Sequence, residues 1–168
     1  LRLRASIRGN ISAPIIDDAI TNRDYQKEAI RSVCAAFSGM RRHSLLVMAT
    51  GSGKTRVAIS CADVLLKANW VKNVLFLADR TSLVRQAHKN FNKLLPGVTT
   101  SIYTGGGMDR DANARIIFST YQTMINLVND DTREFGIGRF DLIIIDEAHR
   151  SIFRKYRALF HYFDALML

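Results

Sequence analysis

From Asp24 onward the chain alternates two kinds of apolar pattern. Ala29, Ile30, Val33, Ala36 and Phe37 recur at three- and four-residue spacing, which predicts an amphipathic helix beginning at Asp24. The runs SLLVMA (44–49), NVLFLAD (73–79), VTTSIYT (98–104), ARIIFST (114–120) and DLIIID (141–146) are short and rich in aliphatic and β-branched residues. Several are continuously apolar, as strands buried on both faces are. Between them, 54–67, 83–95 and 121–128 carry helical spacing; Pro96-Gly97 closes the second, and 154–163 predicts a last helix. Strands of this kind alternating with helices predict an α/β fold, a mostly parallel sheet with helices on both faces. In such sheets ligands bind beyond the carboxyl ends of the strands.

Two stretches at such ends are chemically loaded. MATGSGKT follows the 44–49 strand, and Asp146-Glu147 follows the aliphatic strand that starts at Asp141. Gly51 and Gly53 allow a sharp turn that gathers backbone N–H groups around a phosphate, with Thr50 and Ser52 in the same loop. The helix that follows directs its positive end to the same place. Lys54 supplies a charge to the outer phosphates, Thr55 a hydroxyl to Mg²⁺, and Arg56 stands next in line. The usual phosphate-loop pattern has a Gly where this chain has Met48, but Gly-x-Gly-Lys-Thr is intact. A bound magnesium nucleotide needs a carboxylate for the metal and a base for the attacking water. Asp146 suits the first role and Glu147 the second. Neighbours on a strand point to opposite faces, so both serve one site only if the strand ends and the chain turns there. His149 then faces the region where the nucleotide meets the rest of the machinery.

Length and composition narrow the class. The chain has 168 residues, one ordinary domain, and no apolar run nears the roughly 20 residues of a membrane span. The net charge of +9 favours a polyanionic partner such as nucleic acid, against the alternative of a generically basic surface. Cys34 and Cys61 fall in helical patterns without metal spacing and read as reduced core residues of a cytoplasmic protein. His43, His88 and His161 show no metal spacing either, and Trp70 reads as packing at the domain edge.

With these residues in place, the chain resembles the first RecA-like domain of superfamily-two helicases and translocases. MATGSGKT looks like motif I and IDEAH like motif II. RDYQKEAI (23–30) resembles the Q-motif, which implies that Gln26 reads the adenine edge with help from Arg23; the alternative is a helix start capped by Thr21 and Asp24. LADRTSLVRQA (77–87), YTGG (103–106) and STYQTM (119–124) resemble motif Ia, the glycine doublet and motif Ib. The resemblance implies DNA-backbone contacts from Arg80, Thr81, Gly105, Gly106, Thr120 and Gln122, against plain capping and turning roles for the same residues. FLADRTSLVRQA, and DEAHRS followed by KYR and FDA, are similar to the motor (R) subunit of type I restriction–modification enzymes, over about residues 21–168.

That resemblance implies ATP and Mg²⁺ as cofactors and duplex DNA as the track. The implied partners are the specificity and methyltransferase subunits of a type I complex and a second RecA-like domain; no membrane is involved. It also implies ATP-driven DNA translocation before cleavage by a separate nuclease domain. The Thr-Ala-Thr of motif III, an arginine finger and the nuclease signature are not among these residues, so the chain reads as a piece of a motor that turns over ATP slowly by itself. Residues 1–20 read as an extension or linker. Two other readings stand beside this one: another superfamily-two DNA helicase, and a nucleotide-binding module that does not hydrolyse its ligand.

Overall fold

The computed structural model describes residues 8–105, 110–129, 134–148 and 150–168. The chain forms two compact units, one running to Lys72 and including Leu166–Leu168, the other spanning Asn73–Ala165.

The second unit is built on a parallel ladder. Strand β1 (Val74–Ala78) pairs with β3 (Ile116–Thr120) on one side and β4 (Leu142–Ile145) on the other, and β2 (Thr100–Tyr103) flanks β3. Val74 stands opposite both Ile116 and Leu142, and Ala78 opposite Thr120. All five residues of β1 and of β3 are buried. Successive strand residues face opposite ways, so this pattern means that both faces of the ladder are covered, as the uninterrupted apolar runs predict.

Helix α3 (Thr81–Leu94) buries Val84, Ala87 and Phe91. The Phe91 ring meets Phe118 at 5.1 Å and Phe76 at 5.9 Å, both edge-on, and His88 adds an edge contact to Phe118 at 5.3 Å. Helix α4 (Tyr121–Asn129) leaves β3 without a connecting loop. The single expected C-terminal helix is two, α5 (Arg150–Lys155) and α6 (Arg157–Tyr162). The break is Tyr156, whose φ of −109° and ψ of 21° leave the helical range while its ring is buried.

The first unit holds α1 (Asp24–Ser38), α2 (Lys54–Lys67) and the two-residue strand β5 (Leu166–Met167). The expected strand at 44–49 does not form a ladder. Its one bridge is His43 with Met167, closed by Ser44 N–H to the Met167 carbonyl at 2.9 Å and Met167 N–H to the Arg42 carbonyl at 2.9 Å. A two-residue partner can support no more pairing than this, and Leu45 and Val47 are 73% and 88% exposed.

Residues 8–20, part of the stretch expected as an extension or linker, are packed into this unit. Ile11 and Ile20 are buried, Gly9 N–H donates to the Ala68 carbonyl at 2.8 Å, and Trp70 Nε1 donates to the Gly9 carbonyl at 2.8 Å. Trp70 is thereby a packing residue, with the Arg8 guanidinium 4.8 Å above its ring. The alternative of a Thr21–Asp24 capping box does not form: the residue before α1 is Arg23, and the Thr21 hydroxyl donates to Ser60 Oγ. Cys34 and Cys61 are buried free thiols, as expected. Burial pushes Cys34 up to about 11 and Cys61 higher still, so both stay neutral.

The two apolar environments should respond differently to mutation. Phe118→Ala should cost about 3–5 kcal/mol, because it opens a cavity among Phe76, Phe91 and His88. Val47→Thr, at an exposed position, should stay within about 0.5 kcal/mol. Urea denaturation of both variants measures the difference.

Candidate functional site

The phosphate loop of the first unit is a tight turn. Ser52 N–H and Ser52 Oγ both donate to the Ala49 carbonyl, at 3.2 and 2.6 Å. Gly51 and Gly53 have φ of +78° and +92°, left-handed values that residues with a Cβ rarely adopt. Lys54 and Thr55 follow as the first residues of α2, and Lys54 is exposed. The first N–H groups of a helix lack partners within it, so the loop, the helix end and the Lys54 ammonium could together hold an anion.

Gln26 does not stand clear to meet a base. It is buried, and its Nε2 donates to the Ser52 carbonyl at 2.9 Å. A Cβ on Gly53 would clash with that nitrogen. The side chain expected to read adenine holds the phosphate loop through its amide nitrogen. Tyr25, which the sequence reading passed over, donates to the same carbonyl at 2.8 Å, and Arg23 Nη1 donates to the Tyr25 hydroxyl at 3.0 Å. Arg56 is turned elsewhere as well, donating to the Ile20 carbonyl at 3.0 Å. It braces the segment before α1.

In the second unit the parallel register brings the remaining candidates to one edge. Ala78 is opposite Thr120, Tyr103 opposite Ser119 and Leu77 opposite Ile145. Arg80, Thr81, Gly105, Gln122 and the acids thus follow strand ends at the carboxyl side of one sheet, with Thr120 closing β3. Arg80, Thr81, Gly105 and Gln122 are exposed. Arg80 rather than Thr81 is the cap residue of α3, with extended backbone and no side-chain cap bond, so Thr81 lies inside the helix. Thr120 takes the plain capping role: it is buried, and its Oγ1 accepts from Thr123 N–H at 3.2 Å while donating to Thr123 Oγ1 at 2.9 Å. Gln122 Nε2 donates to Asn126 Oδ1. Gly106 and His149 lie outside the described residues.

At the end of β4 the chain does turn. Asp146 N–H donates to the Leu77 carbonyl at 2.9 Å, and Glu147 is exposed with φ of +56°. This meets the condition that the strand stop before its two acids share a site. The Asp146 carbonyl is held by the Tyr121 hydroxyl at 2.7 Å. Burial, then Asp146 and Asp79, push the Tyr121 hydroxyl far above its ordinary range, so it stays a neutral donor. Among the described residues no cluster of His, Cys, Asp and Glu could hold a metal without other ligands. Thr55, in the first turn of α2, and Asp146, just after β4, each carry an oxygen of the kind that Mg²⁺ takes beside phosphate and water oxygens. Among the same residues no helix is long and apolar enough to cross a membrane.

Comparison with known proteins settles the family. The model of the ResIII family, described as Type III restriction enzyme, res subunit, matches residues 19–168. The chain belongs to this family. It is 34% identical over 134 residues to the endonuclease subunit of the type I restriction enzyme EcoKI of Escherichia coli K12, which covers 77% of this chain and 12% of that protein. It is also 34% identical over 148 residues to the EcoAI endonuclease subunit of Escherichia coli, covering 85% and 18%. A solved nuclease-deletion mutant of the Type ISP restriction-modification enzyme LlaGI, in complex with a DNA substrate mimic, matches with a TM-score of 0.66 at 27% identity, over 86% of this chain and 17% of that one. The Sulfolobus solfataricus SWI2/SNF2 ATPase core shares the fold, with a TM-score of 0.67 at 18% identity over 95% and 32%. The chain thus spans less than a fifth of the length of these two type I subunits. It is an α/β, RecA-like superfamily-two helicase domain close to type I restriction R subunits.

The contact between Gly53 and Gln26 gives a mutational test. Gly53→Ala should destabilise the fold by roughly 1–2 kcal/mol, from the left-handed backbone alone, plus the clash with Gln26. Adding Gln26→Ala should relieve only the clash, so the two changes should be non-additive in a thermal-denaturation cycle.

Proposed function

We infer that this ResIII domain is the ATP-binding half of a DNA translocase motor in the R subunit of a type I restriction enzyme. The observation that carries the reading is a pair of turns: a Gly51/Gly53 loop opening into Lys54-Thr55, and an aliphatic strand that stops and turns at Asp146-Glu147. In this reading the loop amides and Lys54 hold the β- and γ-phosphates of ATP. Thr55 and Asp146 are the residues that would hold Mg²⁺, which would supply charge to neutralise the phosphates. Glu147 takes the proton of the water that attacks the γ-phosphorus, and the β–γ bridging oxygen leaves with ADP. Gln26 and Tyr25 fix the loop from behind, and Arg23 fixes Tyr25.

The DNA path in this reading is the carboxyl edge of the second unit's sheet. Arg80, Thr81 and Gln122 offer side chains there, and Gly105 offers its backbone. Such contacts go to phosphates and carry no sequence information. Recognition of a DNA sequence then belongs to the specificity subunit, and methylation to the methyltransferase subunit, of the complex that the relatives' names point to. A second RecA-like domain supplies the transition-state arginine, a group typically worth about 10³–10⁵ in rate. Cleavage belongs to a nuclease domain elsewhere in the protein, and the site of action is the cytoplasm.

Two binding measurements test this. Lys54→Ala should weaken Mg-ADP binding in calorimetry by roughly 10- to 150-fold, the value of a charged hydrogen bond; equal affinities would remove the nucleotide reading. Binding of the chain to duplex DNA should be independent of sequence and fall steeply as salt rises, because counterions leave with each phosphate contact. Affinity that holds constant from low to moderate salt would contradict the DNA path.

A further inference from the structure

The proposed function leaves one well-placed side chain without a role. Tyr121 opens α4, and its ring is 1% exposed. It stacks on Tyr156 at 5.1 Å with 19° between planes, and Phe160 meets it edge-on at 6.2 Å. Two rings thus restrain the position of its hydroxyl, which donates to the Asp146 carbonyl at 2.7 Å.

We propose that Tyr121 is a positioning residue: it latches the peptide between Asp146 and Glu147 and so keeps Glu147 in the conformation from which it acts as base. This rests on the reading of Glu147 given above. The latched carbonyl belongs to the rigid plane whose other end is the Glu147 N–H. A turn of that plane changes ψ of Asp146 and φ of Glu147 together. The residue before it is anchored, since Asp146 N–H is bonded to the Leu77 carbonyl in β1. With the carbonyl held toward Tyr121, Glu147 sits at φ +56°. Left to itself, a residue with a Cβ prefers negative φ. Loss of the hydroxyl lets the plane turn over, which re-aims the Glu147 carboxylate relative to Asp146. Because Tyr121 is also the residue before Gln122, the latch ties the acid turn to the helix end assigned to DNA.

The test is Tyr121→Phe, which keeps the stacked ring and removes only the hydroxyl. In the full-length protein that carries this domain, kcat for DNA-stimulated ATP hydrolysis should fall roughly 10- to 100-fold. The KM for ATP and the Kd values for Mg-ADP and DNA should stay within about twofold. In the 168-residue chain the ¹³C resonance of the Asp146 carbonyl should move, as a carbonyl does on losing a donor, with the melting temperature little changed. An unchanged kcat overturns the latch. So does a loss of kcat accompanied by raised KM and lowered melting temperature, which marks a mere packing role. A wild-type full-length protein that hydrolyses no ATP defeats the functional reading itself, and the latch with it. Wild-type hydrolysis matched by Tyr121→Phe defeats the latch alone.

Discussion

Parallel pairing of β1 with both β3 and β4 is the constraint on which the second unit depends. Parallel strands keep their carboxyl ends on one side, so the residues after Ala78, Thr120 and Ile145 are neighbours by register. The aliphatic and aromatic side chains that bury the ladder carry no chemistry. Their work is to fix where it ends, and the charged and hydroxyl residues begin where burial stops. Asp146 shows the transition within one residue: its N–H still bonds to β1, while the next residue already has a left-handed backbone.

Much of this was legible in the sequence, for a physical reason. Continuous runs such as VLFLA and LIII suit only strands buried on both faces, and such strands imply parallel pairing with helices over each face. The Gly-x-Gly-Lys-Thr spacing was equally readable, because the left-handed turns at Gly51 and Gly53 are local properties of the chain. The failures are failures of partnership. SLLVMA has strand composition, but a ladder needs a second strand of matching length, and β5 supplies two residues. Residues 8–20 lack periodicity, yet Ile11 and Ile20 are buried and the backbone at Gly9 is bonded to both Ala68 and Trp70.

Roles inside the site were less readable than its existence. Gln26, Arg56 and Thr120 all carry groups suited to ligands, and all three have those groups bonded within the protein: to Ser52, to Ile20 and to Thr123. A polar side chain near a site has two competing uses, and sequence spacing cannot rank them. Burial ranks only some of them: Gln26 and Thr120 are buried, whereas Arg56, Lys54, Arg80 and Gln122 are exposed. Tyr25 and Tyr121 were missed for the complementary reason. Each sits beside a motif residue and acts through a hydroxyl bonded to a backbone carbonyl, which leaves no mark in the sequence beyond a tyrosine at a helix start.

The central claim is that Asp146 and Glu147 serve ATP hydrolysis driven by contact with DNA. It is tested most directly by phosphate release from the full-length protein, with and without duplex DNA, for the wild type and Glu147→Gln. The account predicts hydrolysis stimulated by DNA in the wild type, and a variant that still binds ATP but releases no phosphate above background. Hydrolysis by Glu147→Gln at the wild-type rate, or a wild-type rate indifferent to DNA, would contradict it.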